Sequence, residues 1–156
     1  MTSTMELTSE ATLSVQEEDK IFAEFGIVDT IQTVISSMDS DGTAVVNQTG
    51  DTWKFRYGTV EVVVNITGTA PTDTFTVLST VLRAPFKDET KLMRLLLEKN
   101  LTETFEARFA MQDDQVFVVS SRSVEDLSPA EISRIIGIVA AIADNHDEVL
   151  KAEFGA

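Results

Sequence analysis

The residues whose side chains could carry out catalysis are few in this chain, and their spacing brings none of them together. The single histidine, His146, lies within Asn145-His146-Asp147, and there is no cysteine. A histidine acting as a general base needs a nucleophile and an orienting partner within reach, and the surrounding sequence supplies neither. The lack of cysteine excludes a thiolate zinc site and a cysteine nucleophile, and one histidine cannot supply a metal site that needs two. We therefore interpret this segment as an exposed polar patch near the end of a helix.

Carboxylates are the remaining groups that could do chemistry, in two short acidic segments. Asp113 and Asp114 are adjacent, and neighbours in a hairpin turn usually point apart. Asp39-Ser40-Asp41-Gly42 has glycine at its fourth position, whereas a calcium-binding EF-hand loop needs it at the sixth. Both segments are predicted to be turns, with no metal and no cofactor. The alternative is a carboxylate-based enzyme or small-ligand domain, in which Asp113, Asp114 and Glu61 would converge in a deep pocket.

The charge of the chain limits its partners. It has 156 residues, of which 12 are Lys or Arg and 26 are Asp or Glu, and its net charge is −14. Nucleic acids and anionic membranes bind clustered lysine and arginine, so neither partner is expected. The N-terminus has no basic and apolar signal segment, and no apolar run approaches the roughly 20 residues of a membrane span. We expect a cytoplasmic protein with one domain.

The apolar pattern divides the chain into a short tail and one domain. Residues 1–14 are rich in Ser, Thr and Glu without periodicity, which predicts a mobile tail. Residues 15–156 then form a single domain. It begins with an apolar stripe at helical steps of three or four, which Gly26 interrupts. The stripe consists of Phe22, Phe25, Val28, Ile31, Val34, Ile35 and Met38.

The next part of the chain has the alternation of β-strands. Aromatic and basic residues alternate over Trp53–Tyr57, and two further strand-like runs follow over Val60–Thr67 and Thr74–Leu82. The connections are too short to cross over to a parallel neighbour, so we predict an antiparallel meander, with a further short strand at Val45.

The second half of the chain predicts a helix, a hairpin and a long helix. Asp88 can cap a leucine-rich helix that Asn100 would end. A hairpin then pairs Phe105–Met111 with Gln115–Ser121. Ser128-Pro129-Ala130-Glu131 is a capping box with proline at the first helical position. The order α-β-β-β-α-β-β-α indicates the α+β class, an antiparallel sheet packed by helices.

The predicted sheet is apolar on both faces. Val60, Val62 and Val64 are expected on one face, and Val63, Leu78 and Leu82 on the other. Three helices are too few to cover both faces, and leftover apolar surface on a protein indicates a dimer interface or a peptide groove. Trp53 is interpreted as core, with partner binding as the alternative. As partner-binding candidates we name Phe22, Phe25 and Trp53.

Half of the basic residues lie between Arg83 and Arg108, interleaved with acids. This pattern is typical of a helix face covered by salt bridges. The alternative is a strip that docks an acidic partner, or the acidic tail of a second copy.

The series of elements resembles the YbjN family, whose fold is shared with the specialised chaperones of bacterial type III secretion. The resemblance spans roughly residues 26–153. In the first half of the chain it is carried by the helix that ends before Asp39, by Trp53 followed by the turn at Gly58, and by the paired strands Val60–Ile66 and Thr74–Leu82. Pro85 then precedes a leucine-rich helix that closes on Lys99-Asn100. In the last part, Gln115–Ser121 leads into Leu127-Ser128-Pro129-Ala130-Glu131 and a helix that contains Ala143-Asp144.

The resemblance implies an α+β sandwich that pairs into a homodimer, has no catalytic activity, and binds partly unfolded protein segments in grooves. The predicted function is therefore a non-catalytic protein-binding module, a chaperone-like dimer with an unidentified client. Besides the carboxylate-based alternative, a purely structural dimer within a larger assembly also fits the sequence.

Overall fold

The computed structural model of the chain describes residues 26–39, 45–46 and 51–156. Three helices and six strands form in this part of the chain. The helices are α1 (Ile27–Met38), α2 (Glu89–Thr102) and α3 (Pro129–Phe154); the strands are β1 (Val45–Val46), β2 (Thr52–Tyr57), β3 (Val60–Ile66), β4 (Thr74–Arg83), β5 (Arg108–Gln112) and β6 (Gln115–Ser123). The α+β prediction is confirmed, including the short strand at Val45.

All six strands belong to one antiparallel sheet in the order β1-β2-β3-β4-β6-β5. Strands β1 to β4 form the predicted meander. After β4 the chain passes through α2 and returns as β5, and β6 then fills the place between β4 and β5. Strands β4 and β5 are thus parallel with one strand between them, a split β-α-β unit. This connection places α2 beside the edge strand β5.

The described helices pack on one face of the sheet, which we call the inner face. Val60, Val62 and Val64 point to it and are buried, as predicted. Helix α3 contacts the same face, because the ring of His146 meets that of Phe109 edge-on with centroids 5.3 Å apart. The opposite face, which we call the open face, carries the alternate residues of each strand.

The prediction that Leu82 lies on the open face with Val63 and Leu78 is wrong. The pairing of β4 with β6 slips between Thr80 and Leu82. This bulge adds one residue to β4 and reverses the side to which the following residues point. Leu82 therefore lies opposite Val116 and is 2% exposed, within the core.

Both predicted helix starts are confirmed. The side chain of Asp88 accepts a hydrogen bond from the amide of Lys91 at 3.3 Å, and Ser128 Oγ accepts one from the amide of Glu131 at 3.2 Å. The other half of the capping box differs, since the carboxylate of Glu131 pairs with Arg122 of β6. That ion pair fixes the beginning of α3 over the sheet.

The connection between α2 and β5 was predicted incorrectly. Helix α2 continues past Asn100 to Thr102, and β5 begins at Arg108 rather than at Phe105. Phe105 has a positive φ of 51°, which no strand residue adopts, and the amide of Ala107 donates to the Thr104 carbonyl in a tight turn. The hairpin that follows has positive φ at both Asp113 and Asp114, as a type I′ turn requires.

Helix α3 is anchored to the turn between β2 and β3 by two aspartates. The amide of Thr59 donates to Asp144 Oδ1 at 2.9 Å, and its hydroxyl lies 2.9 Å from both carboxylate oxygens of Asp147. Asp147 is completely buried, so these contacts and the ammonium of Lys151, 3.5 Å away, offset its desolvation. Gly58 makes the approach feasible, because a Cβ there would lie 2.2 Å from Asp144 Oδ1.

Replacing Gly58 with alanine should destabilise the protein. Gly58 has φ of +56°, which costs an L-residue of order 1–3 kcal/mol, and the added methyl group would displace Asp144. Urea denaturation should show a lower free energy of unfolding for Gly58→Ala. The matched control is Gly137→Ala in α3, where a Cβ meets no atom within 4 Å. That change should stabilise the chain by about 0.5–1 kcal/mol; equal effects of the two substitutions would contradict this account of the turn.

Candidate functional site

The lone histidine has a structural role, and the prediction that it is exposed is wrong. His146 is half-buried, with Nδ1 2.7 Å from the carbonyl oxygen of Ile142 and its ring against Phe109. Its neighbour Asp147 is fully buried and bound to Thr59. These contacts hold α3 to the sheet. Within the described residues, the imidazole contacts the Ile142 carbonyl and the Phe109 ring rather than a nucleophile.

The carboxylates of the enzyme alternative do not converge. Asp113 and Asp114 are exposed in the β5–β6 turn, and Glu61 is exposed on the open face of β3. Within the described ranges, no group of three or more His, Cys, Asp or Glu residues could hold a metal ion. The deep acidic pocket that the alternative needs is therefore not formed by these three residues.

The three residues named as partner contacts differ in what the structure says of them. Trp53 is 1% exposed and packs in the core, which agrees with its interpretation as a core residue. Its indole N–H has no acceptor among the described residues. Phe22 and Phe25 lie outside the described residues. A role of these aromatic residues in partner binding stays a prediction.

Exposed apolar surface concentrates on α2, β5 and the turn between them. Six large apolar residues of the described part are exposed, and five of them lie in this region. Met93, Leu97 and Leu101 follow one another at four-residue steps along α2, in a row beside the buried Leu92 and Leu96. With Phe105 and Met111 they form what we call the α2 patch. Leu97, Leu101 and Phe105 are 71%, 86% and 81% exposed, so the described chain leaves this patch open to solvent.

Shallow hollows extend the α2 patch in two directions. One of about 180 Å³ lies between α2 and β5, lined by Leu96, Phe109 and residues of the patch. Another of about 530 Å³ runs from Phe105 along α3, past Gly137, Ala141 and His146. The patch is thus continuous with concave surface into which side chains of a partner could fit.

The edge of the sheet next to the α2 patch is closed by a side chain. The amide group of Asn100 donates to the carbonyl oxygen of Phe109 at 3.1 Å and accepts from its N–H at 2.7 Å. Asn100 thus bonds both backbone groups of Phe109, as a neighbouring strand would. An exposed edge strand invites pairing with another chain, and this contact blocks it at the middle of β5. The sequence suggested only a helix terminator at this asparagine.

A cleft of about 610 Å³ opens where β3 and β4 separate. The two strands are paired only from Val63 to Ile66 on β3, and beyond that point Ser79 Oγ donates to the Glu61 carbonyl at 2.8 Å. Val63 and Leu78 line the cleft at the open face, and Leu82 and Pro85 line it further in. Its lining also includes the charged residues Glu61, Arg83 and Lys151, so the cleft combines apolar and polar surface.

The basic residues between Arg83 and Arg108 form fewer salt bridges than predicted. Lys91 pairs with Glu153 at 3.3 Å and Lys99 with Glu103 at 3.2 Å. The others, Arg83, Lys87, Arg94 and Arg108, are exposed and have no ion pair in the part of the chain that the structure describes. The salt-bridge interpretation therefore holds for two of the six.

Comparison with known proteins identifies the family from this arrangement of elements. The family model YbjN, described as "Putative bacterial sensory transduction regulator", matches residues 28–152. The chain belongs to the YbjN family. The matched range begins within α1 and ends within α3, so the family pattern includes the whole sheet. No curated protein matches the sequence.

Two solved structures share the fold of this YbjN-family chain. A chain of the "Structure of the HopA1-SchA Chaperone-Effector Complex" aligns with a TM-score of 0.52 and 10% identity, over 76% of this chain and 94% of its own. A chain of the "Crystal Structure of the ExsC-ExsE Complex" aligns with a TM-score of 0.50 and 11% identity, over 79% and 95%. The expected secretion-chaperone fold is confirmed. Among the described residues, no helix is both long and apolar enough to span a bilayer.

Removing the Asn100 side chain should loosen the edge of the sheet. In Asn100→Ala the backbone groups of Phe109 lose both partners, which should lower the free energy of unfolding by about 1–3 kcal/mol. Hydrogen exchange followed by NMR should show faster exchange of the Phe109 amide. Glu98→Ala, at an exposed site on the same helix, should change stability by less than about 0.5 kcal/mol. An unchanged Phe109 exchange rate would show that Asn100 does not protect the edge.

Proposed function

We propose that this YbjN-family protein is a non-catalytic, chaperone-like module that forms a homodimer and binds segments of a partner protein. The observation that carries the proposal is the concentration of exposed apolar side chains in the α2 patch of a chain with net charge −14. Such a patch on a charged protein marks an interaction surface. The likeness to chains of a chaperone-effector complex supports the same class of function.

The α2 patch is the surface that we propose for the homodimer. Leu97, Leu101 and Phe105 are the most exposed of its members, and a two-fold axis near them would let each copy cover the same residues of the other. Asn100 blocks strand-to-strand pairing at Phe109, so the contact would be made by side chains of α2. Two copies would thereby bury the surface that one chain leaves exposed.

The cleft between β3 and β4 is the site that we propose for the client. An extended segment can bind where a sheet leaves backbone groups unpaired, with side chains entering apolar pockets. β3 pairs with β4 over only its second half, and Val63 and Leu78 border the exposed part. A volume of about 610 Å³ lies within the usual range for binding pockets. Client binding and dimerisation then use separate surfaces.

Charged substitutions in the α2 patch should dissociate the dimer. Leu97→Glu combined with Leu101→Glu would place unpaired carboxylates in the interface, which should raise the dimer dissociation constant about 100-fold or more. Sedimentation velocity across a concentration series measures this change. Val149→Glu is the control, because Val149 is the one exposed large apolar residue outside the patch in the described part of the chain. A wild-type chain that is monomeric throughout, or a double variant that dimerises normally, would overturn the proposed dimer.

A charge at the mouth of the cleft should prevent client capture. Leu78→Arg changes a half-buried lining residue, and Ser121→Arg changes an exposed residue of the same face that does not line the cleft. Affinity purification from the native cell with quantitative mass spectrometry should recover a partner with the wild type and Ser121→Arg, and at least tenfold less of it with Leu78→Arg. Thermal melts check that both variants are folded. Equal recovery with both variants would remove the cleft from the mechanism.

A further inference from the structure

The open face of the sheet has a charge opposite to that of the whole protein. Its outward strand positions on β2 to β6 include four basic residues, Lys54, Arg56, Arg83 and Arg108, and one acid, Glu61. The chain as a whole carries 26 acids against 12 bases. This local excess of positive charge lies on the one face against which no described helix packs.

Apolar side chains lie between these bases in one row across the sheet. The strand register places Lys54 opposite Val63, Val63 opposite Leu78, Leu78 opposite Val119, and Val119 opposite Arg108. The three central residues are half-buried, whereas Lys54 and Arg108 are exposed. Neither Lys54 nor Arg108 has an ion pair within the described part of the chain. The row therefore presents an apolar centre with a free cation at each end.

A surface of this kind complements a segment that is apolar along one side and acidic beside it. The 25 residues before Gly26 have that composition. They contain six acids and one base, and the apolar residues nearest the fold are Ile21, Phe22 and Phe25. The sequence predicts helical spacing for the part from residue 15 onward.

The length of this segment is sufficient to reach the open face. Twenty-five residues span roughly 80 Å when extended and about 37 Å as a helix. Six strands at roughly 4.8 Å spacing make a sheet about 24 Å across. The family match begins at residue 28, so the segment is an addition to the family pattern.

We infer that the chain's own N-terminal segment, residues 1–25, docks on the open face, with its phenylalanines over Val63, Leu78 and Val119 and its acids near Lys54 and Arg108. In this arrangement Phe22 and Phe25 contact the chain's own sheet instead of a client.

Charge and tethering favour this occupant over an acidic segment of another protein. A separate acidic partner must approach a chain of net charge −14 against long-range repulsion. A tethered segment does not need to approach, because its covalent link keeps it near the face at an effective concentration on the order of millimolar. Its acids then lie near Lys54 and Arg108, which have no ion pair within the described residues.

The test uses a spin label on the full chain, in which the lack of cysteine allows a single labelling site. A nitroxide on Ser121→Cys lies on the open face, and one on Val149→Cys lies on the exposed side of α3. The label at residue 121 should at least halve the NMR amide intensities of residues 15–25, and the label at residue 149 should not. Salt at 1 M, where the Debye length is about 3 Å, should reverse much of the loss.

The second part of the test reverses the charges of two basic residues on the open face. Lys54→Glu with Arg108→Glu should restore the intensities, while Arg94→Glu, an exposed base of α2, should leave them reduced. A dispersed amide spectrum establishes that each variant is folded. Sharp signals from residues 15–25 with both labels would overturn the inference and leave the face to an acidic partner. A mixture of isotope-labelled chains and spin-labelled chains tests for docking between copies. If the signals of residues 15–25 broaden only in this mixture, the inference is also overturned, because the segment then docks on a second copy.

Because this experiment contains no client, its result is independent of the proposed function. A docked segment in a chain that captures no partner would uphold this inference and reject the client role. A free segment in a chain that captures a partner through the cleft would do the reverse.

Discussion

A sheet of six strands has two broad faces, and the described helices of this chain pack against only one of them. The inner face is filled by valine, phenylalanine and isoleucine from alternate strand positions and by the apolar side of α3. β-strands place every second residue on the other face, where the half-buried Val63, Leu78 and Val119 lie among charged and hydroxyl side chains. The surfaces proposed for contact with further polypeptide lie outside the inner layer.

The long helix α3 keeps that arrangement in place. It crosses the inner face from its ion pair with β6 at Glu131 to the buried Asp147 beneath the β2–β3 turn. Polar contacts at two separated points fix both the position and the rotation of the helix. Beyond them, the amides of Lys87 and Ala156 tie the segment after β4 to the end of the helix. These contacts hold the inner layer together and leave the open face and the α2 patch outside it.

The sequence was sufficient for the class and order of the elements, since these depend on local patterns. Alternation identified the strands, the box at Ser128 identified the start of α3, and Asp113-Asp114 identified the hairpin. The errors arose from interactions between distant residues. The bulge before Leu82 depends on how β4 meets β6, and Asn100 looks like a helix terminator until the strand it binds is known. The α2 patch was missed because a leucine-rich helix looks like core, and only packing shows that Leu92 and Leu96 are buried while Leu97 is not.

The side-chain amide of Asn100 has a consequence for how large an assembly this protein can form. A bare outer strand would let one molecule add to the next without end, as in a fibril. Here the middle of that strand is already engaged by its own helix. Growth by backbone pairing is interrupted, and contacts through helix side chains can close on themselves. A protein proposed to bind extended polypeptides is thus kept from joining a growing filament by backbone pairing at β5.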